Sequence, residues 1–224
     1  MYEYLLAISI ILILFYFILD FIYSYTKFNI NKIYEYHNII TDDQINEIIR
    51  LAEPLVTPSP VIGNNGLNTV MNNVRTSHNT FLSDKYPVVL DIYDKLSNII
   101  GIDKSHFEDL QVVRYHPGQL YKAHWDACYE ESKCNDFLKR GGNRYATFLL
   151  YLNDDFQGGE THFPLRNKKI IPEKGKAALF FNLDENNIDK LENSKHAGLP
   201  PTSGIKWMCN VWIRQNKIPM QYKN

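Results

Sequence analysis

The sequence predicts a mainly β domain with flanking helices, an α+β arrangement of the sandwich or jelly-roll barrel kind, carried behind an N-terminal transmembrane helix. Three observations predict it. An almost wholly apolar stretch runs from Tyr4 to Tyr25. Two segments with helical apolar spacing follow it. Beyond residue 105, short runs rich in Val, Tyr, Phe and Leu recur between Gly, Pro, Asn and Asp. At 224 residues the chain can hold one globular domain with a large core plus an appendage.

The apolar stretch reads YLLAISIILILFYFILDFIYSY, and Asp20 is its one charge. Crossing the hydrocarbon core takes roughly 20 apolar residues, so this stretch is long enough. Tyr16, Phe21, Tyr23 and Tyr25 gather toward its C-terminal end, where an interface favours aromatic rings. No small-residue cleavage site follows, which predicts an uncleaved anchor rather than a removed signal. Glu3 precedes the span and Lys27 and Lys32 follow it; by charge alone this places the large domain in the cytoplasm. The expected organisation is an anchor over 1–28, a juxtamembrane and helical layer with a substrate loop over 29–104, and the β core over 105–224.

Residues 26–40 read as a polar juxtamembrane stretch. Thr41 and Gln44 then form a capping box, and Ile45, Ile48, Ile49 and Ala52 recur at helical spacing until Pro54. Residues 54–73 are rich in Pro, Gly and Asn and predict a long loop. A second helix fits 84–100, with Val89, Ile92, Tyr93, Leu96, Ile99 and Ile100 on one face and Gly101 at its stop. Strands are predicted at 110–115, 144–152, 177–182 and 206–214.

Net charge is −1 and no long basic run occurs, so no nucleic-acid partner is expected. Lys168, Lys169, Lys174 and Lys176 read as decoration of a solvated strand. The three cysteines match no zinc spacing. Cys128 and Cys134 are near enough to bridge in an oxidising compartment, and equally compatible with two free thiols.

The chemistry begins at His124-Trp125-Asp126. In an extended strand, side chains two apart share a face, so the imidazole and the carboxylate reach one ion together. A second neutral imidazole would complete a two-histidine, one-carboxylate set, which leaves open positions on Fe(II) for a bidentate cosubstrate and dioxygen. His196, ahead of a closing β run, is placed to face the other two across a barrel mouth. His37, His78, His106, His116 and His162 read as surface or hydrogen-bonded histidines. The stretch GLPPTSGIK fails the spacing of a phosphate loop.

Three long segments in order, QVVRYHPGQLYKAHWDACYE, GGNRYATFLLYLNDDFQGGETHFP and SKHAGLPPTSGIKWMCNVWIRQ, resemble the catalytic domain of the prolyl 4-hydroxylases, within the Fe(II)/2-oxoglutarate dioxygenases. The resemblance runs from about residue 75 to 215 and implies a double-stranded β-helix with His124, Asp126 and His196 on Fe(2+). It implies that Lys206 holds the distal carboxylate of 2-oxoglutarate and that Tyr115 and Thr161 hydrogen-bond the same cosubstrate. It places Arg144, Trp212 and Arg75 on the substrate side, facing a Pro-rich protein or peptide, with O2 as second cosubstrate and L-ascorbate keeping the iron reduced. It also favours a catalytic domain in the lumen of the endoplasmic reticulum, against the flanking charges. Two alternatives stand beside prolyl hydroxylation. One is a dioxygenase acting on another residue or a small molecule; the other is an inactive, membrane-tethered peptide-binding module.

Overall fold

The computed structural model describes residues 28–62, 69–70 and 73–223. The Tyr4–Tyr25 segment predicted to cross a membrane lies outside them. Among the described residues no helix is long and apolar enough to do so.

In chain order the elements are β1 (Tyr34–Tyr36), α1 (Asp42–Ala52), β2 (Thr57–Pro58), β3 (Val61–Ile62), β4 (Thr69–Val70), β5 (His78–Leu82), α2 (Pro87–Ile100), β6 (Leu110–Tyr115) and β7 (Tyr121–His124). Then come α3 (Glu131–Leu138), β8 (Arg144–Tyr151), β9 (Gln157–Gly158), β10 (Thr161–Phe163), β11 (Lys168–Ile170), β12 (Ala177–Phe181), β13 (His196–Gly198), β14 (Pro201–Ser203) and β15 (Lys206–Arg214). A seven-stranded antiparallel sheet runs β1-β12-β8-β15-β6-β5-β2, and a four-stranded sheet, β11-β10-β13-β7, faces it. This is the predicted mainly β, jelly-roll arrangement.

The central strands are apolar on both faces because both are covered. On one face Val112, Phe148, Leu150, Leu179, Cys209, Val211 and Ile213 meet Ile45, Ile48, Ala52, Val89, Ile92, Tyr93 and Leu96 from the two helices. On the other face Val113, Tyr115, Leu149, Tyr151, Ala178, Phe180 and Met208 meet Phe163 and Ile170 of the smaller sheet. The period of two does the sorting: along β15, Trp207, Cys209, Val211 and Ile213 serve the helical side. Lys206, Met208, Asn210 and Trp212 therefore point between the sheets.

The predicted start of α1 and stop of α2 are observed. Thr41 Oγ1 accepts from the Gln44 N–H while Gln44 Oε1 accepts from the Thr41 N–H. Gly101 ends α2 at a φ of 79°, where a side chain would be strained. Pro54 does not end the chain's helical course outright; a 3₁₀ turn, Glu53–Leu55, continues past α1. Pro87 sits at the first turn of α2, so that helix begins three residues after the predicted start.

Two stretches differ from expectation. Residues 34–36, read as juxtamembrane, form β1, an edge strand whose Tyr34, Glu35 and Tyr36 pair with Leu179, Ala178 and Ala177. The predicted loop over 54–73 carries β2, which extends the main sheet, and the short β3–β4 pair. The open question at Cys128 and Cys134 resolves as a disulfide, with Cα atoms 5.7 Å apart. Cys209 is buried and free.

Candidate active site

β7 and β13 pair antiparallel so that His196 lies directly across from His124. Cross-strand neighbours project to one face, which brings the two imidazoles together, ring centroids 4.4 Å apart. Asp126 follows β7 and turns into the same space. Its Oδ1 lies 3.7 Å from His124 Nε2 and its Oδ2 lies 3.8 Å from His196 Nε2. Two ligands at about 2.0–2.2 Å from a shared ion stand at most about 4.4 Å apart, so these spacings suit a metal. Among the described residues this is the one cluster of three or more potential ligands.

Both imidazoles are held in the tautomer a metal needs. His124 Nδ1 lies 2.8 Å from the Lys122 carbonyl and His196 Nδ1 lies 3.0 Å from the Ser194 carbonyl. A carbonyl only accepts, so each Nδ1 carries the proton and each Nε2 presents its lone pair to the cluster. Burial, reinforced by His196 alongside, pushes the His124 pKa down to about 3, which keeps the ring neutral. The Tyr121 ring stacks on His124 at 3.6 Å and 19°, and the Arg75 guanidinium sits 4.7 Å from the Tyr121 ring centre.

The cluster opens onto a pocket between the sheets, walled by Tyr115, Leu149, Thr161, Met208, Asn210 and Trp212. Lys206, cross-strand from Tyr115, is wholly buried nearby. Its ammonium donates to the Gly159 carbonyl at 2.7 Å and lies 5.3 and 5.5 Å from the Tyr115 and Tyr151 ring centres. No carboxylate among the described residues pairs with it. Burial therefore drags its pKa to about 7, with only a weak opposing pull from Glu160. A buried cation lacking an anion fits a ligand that brings its own carboxylate.

The comparisons agree with this chemistry. Residues 110–214 match the family model described as the 2OG-Fe(II) oxygenase superfamily. A protein of Acanthamoeba polyphaga mimivirus assigned by name to the prolyl 4-hydroxylases is 37% identical over 89% of this chain and 81% of its own length. Prolyl 4-hydroxylase 2 of Arabidopsis thaliana is 38% identical over 81% of this chain and 67% of its own. The crystal structure of the viral collagen prolyl hydroxylase of Paramecium Bursaria Chlorella virus-1, as its 2OG complex, is 28% identical, with a TM-score of 0.64 over 81% of this chain and 94% of that one.

The chain belongs to the prolyl 4-hydroxylases of the 2OG-Fe(II) oxygenase superfamily. It is an enzyme of the procollagen-proline dioxygenase type, working with Fe(2+), 2-oxoglutarate and O2. In this prolyl 4-hydroxylase Tyr115, Thr161 and Trp212 line the pocket together with the three clustered ligands, whereas Lys206, Arg75 and Arg144 stand outside its lining. His124, Asp126 and His196 form the metal cluster; Tyr115 and Thr161 line the wall, where Thr161 Oγ1 is 2.8 Å from the Tyr151 hydroxyl.

The expected substrate-side residues are more tied down than their positions in sequence reveal. Arg144 forms a two-pronged ion pair with Glu108, both contacts 2.7 Å, and its guanidinium lies 3.5 Å from the Trp212 ring centre. Arg214 Nε lies 2.6 Å from the same carboxylate. Arg75 is buried, donating to Ser77 Oγ and Gln111 Oε1, each at 3.2 Å. Trp212 Nε1 is buried without a partner among the described residues and borders the pocket. Sequence reasoning did not single out Tyr121 or Glu108. The Y-x-x-H spacing of Tyr121 places it on the strand that carries His124, a signal that was present; the Glu108 pairing is set by tertiary contact alone.

Proposed function

We propose that this enzyme hydroxylates prolyl residues within Pro-rich protein or peptide chains, forming 4-hydroxyproline. The observation that carries the substrate side is Trp212 in the pocket wall, its ring held by the Arg144 guanidinium 3.5 Å from the ring centre. An aromatic wall suits a pyrrolidine ring. Pro-rich chains arrive already extended, so little ordering is needed to lay one against this wall.

In this reading His124, Asp126 and His196 would hold Fe(II). The bound metal with 2-oxoglutarate and O2 supplies the oxidant that inserts one oxygen atom into a ring C–H bond, 2-oxoglutarate leaving as succinate and carbon dioxide. The chain's own residues orient and enclose. Lys206 binds the distal carboxylate of the cosubstrate, and the Tyr115 and Thr161 hydroxyls bond the same molecule. The Lys122 and Ser194 carbonyls fix the two imidazoles, and the apolar wall of Leu149 and Met208 excludes water. L-ascorbate is the reductant expected to restore iron oxidised in unproductive turnovers.

The enzyme is proposed to be a single-pass membrane protein anchored by Tyr4–Tyr25, its catalytic domain in the lumen of the endoplasmic reticulum. The Cys128–Cys134 disulfide supports this, because such bonds persist in oxidising compartments. Protection of the domain from added protease in sealed microsomes tests it; digestion without detergent refutes it. The substrate is tested by incubating Pro-rich and Lys-containing peptides with the enzyme and reading one-oxygen mass gains. A gain confined to prolyl residues of the Pro-rich set is expected, and a gain only on lysines would replace this reading.

A further inference from the structure

The metal carboxylate is held from behind by a hydrogen-bond chain. Thr147 is wholly buried near the centre of β8 and shares the inner face with Leu149 and Tyr151. Its Oγ1 donates to Asp126 Oδ2 at 2.8 Å. Asn182, wholly buried just past β12, donates from Nδ2 to Thr147 Oγ1, also at 2.8 Å.

The direction of this chain is forced. An ionised carboxylate only accepts, and a threonine hydroxyl has a single proton to give. That proton goes to Asp126, so Asn182 must turn its amide N–H toward Thr147. The cost is visible: Asn182 Oδ1 is buried with no partner among the described residues. The Asn182 main chain is itself fixed in place: its N–H donates to the Tyr145 carbonyl at 2.8 Å and its carbonyl accepts from the Leu191 N–H at 2.7 Å.

We propose that Thr147 and Asn182 are positioning residues that lock the Asp126 carboxylate for one-oxygen ligation of the metal. With Oδ2 engaged by Thr147, the carboxylate is kept from rotating to clasp the ion with both oxygens, which would consume a position the cosubstrate needs. A hydroxyl at this place in an otherwise apolar strand run, Ala146, Phe148, Leu149 and Leu150, has no packing reason that valine would not meet equally.

The inference rests on Asp126 being a metal ligand, so the test separates the two ideas. Co(II) is titrated into the metal-free wild-type enzyme and the Asp126→Ala, Thr147→Val, Thr147→Ser and Asn182→Asp variants. Affinity is read by calorimetry and coordination by the visible Co(II) spectrum. Thr147→Val is expected to weaken Co(II) roughly 10- to 100-fold and to change the spectrum, while Thr147→Ser restores both. Asn182→Asp, which faces Thr147 with acceptors only, is expected to weaken Co(II) as well, and it carries the test should Thr147→Val not fold. If Asp126→Ala binds Co(II) as wild type does, the metal assignment falls and this proposal with it. If Asp126→Ala loses Co(II) while Thr147→Val and Asn182→Asp match wild type in affinity and spectrum, the metal assignment stands and the positioning role is refuted.

Discussion

Replacing Lys206 by alanine isolates the cosubstrate site from the metal. Lys206 is completely buried, and among the described residues its ammonium hydrogen-bonds only to the Gly159 carbonyl. Burial holds its pKa at about 7, against about 10.4 for a free lysine. Between those values the unfolded chain holds the extra proton, so stability rises with pH across that window. The gap of roughly three units corresponds to about 4 kcal/mol carried as a buried, unpaired charge at the lower pH. A bound carboxylate pairs with the ammonium and keeps the proton in place. The 2-oxoglutarate affinity of the wild-type enzyme is therefore expected to be flat below pH about 7 and to weaken as pH rises above it. The limiting slope is about tenfold per unit. Removing one partner of a buried charge pair costs roughly 3–5 kcal/mol, so Lys206→Ala should weaken 2-oxoglutarate on the order of 10²–10³. It should also erase the pH slope and leave metal affinity intact. Calorimetric titration of 2-oxoglutarate into anaerobic, Fe(II)-loaded enzyme across this pH range measures the affinity and its slope, and titration of Co(II) into metal-free enzyme measures the metal affinity. Unchanged affinity in Lys206→Ala, or a wild-type affinity indifferent to pH above about 7, would refute the assignment.

His124→Ala, Asp126→Ala and His196→Ala should each abolish turnover, and Asp126→Glu should fail badly because its longer arm displaces the carboxylate; wild-type rates at equal iron in any of them would contradict the metal set. Arg144→Leu should raise KM for a Pro-rich peptide roughly two- to thirtyfold, since a stacked cation contributes ~0.5–2 kcal/mol, with 2-oxoglutarate dependence unchanged; an unaltered KM would remove the Trp212 edge from the substrate site. Replacing Cys128 and Cys134 together by serine should cost about 2 kcal/mol through the freed loop, seen as a lower Tm that reductant no longer shifts. Deleting residues 1–27 should yield a soluble, active domain, keeping Phe28, whose ring packs 5.0 and 5.7 Å from Tyr34 and Phe181. Insolubility of that form, with full-length protein extracted by carbonate, would instead make residues 4–25 part of the folded core.

The parts of the fold legible in sequence are those whose burial pattern is strong. β6, β8, β12 and β15 are near-continuous apolar runs because helices cover one face and the small sheet the other. The small sheet went unread because its strands are three or four residues long and partly polar, as in Tyr121–His124 and Lys168–Ile170. β1 escaped notice for the same reason: three residues with one exposed glutamate carry no period. At the site, the H-x-D spacing exposed two ligands and the place of His196 ahead of a closing β run pointed to the third, whereas the β7–β13 register that sets it across from His124 had no signal in the residues themselves. Thr147 and Asn182 were invisible, being single polar residues within or beside apolar runs whose partners lie 21 and 35 residues away in sequence.

The most direct test of the central claim is the product itself. A Pro-rich peptide is incubated with the enzyme, Fe(II), 2-oxoglutarate, O2 and ascorbate, then hydrolysed for amino-acid analysis while succinate is measured in parallel. The account predicts 4-hydroxyproline in amounts matching succinate, lost when either Fe(II) or 2-oxoglutarate is omitted and absent in Asp126→Ala. Succinate formed without hydroxyproline, or hydroxyproline formed equally by Asp126→Ala, would contradict it.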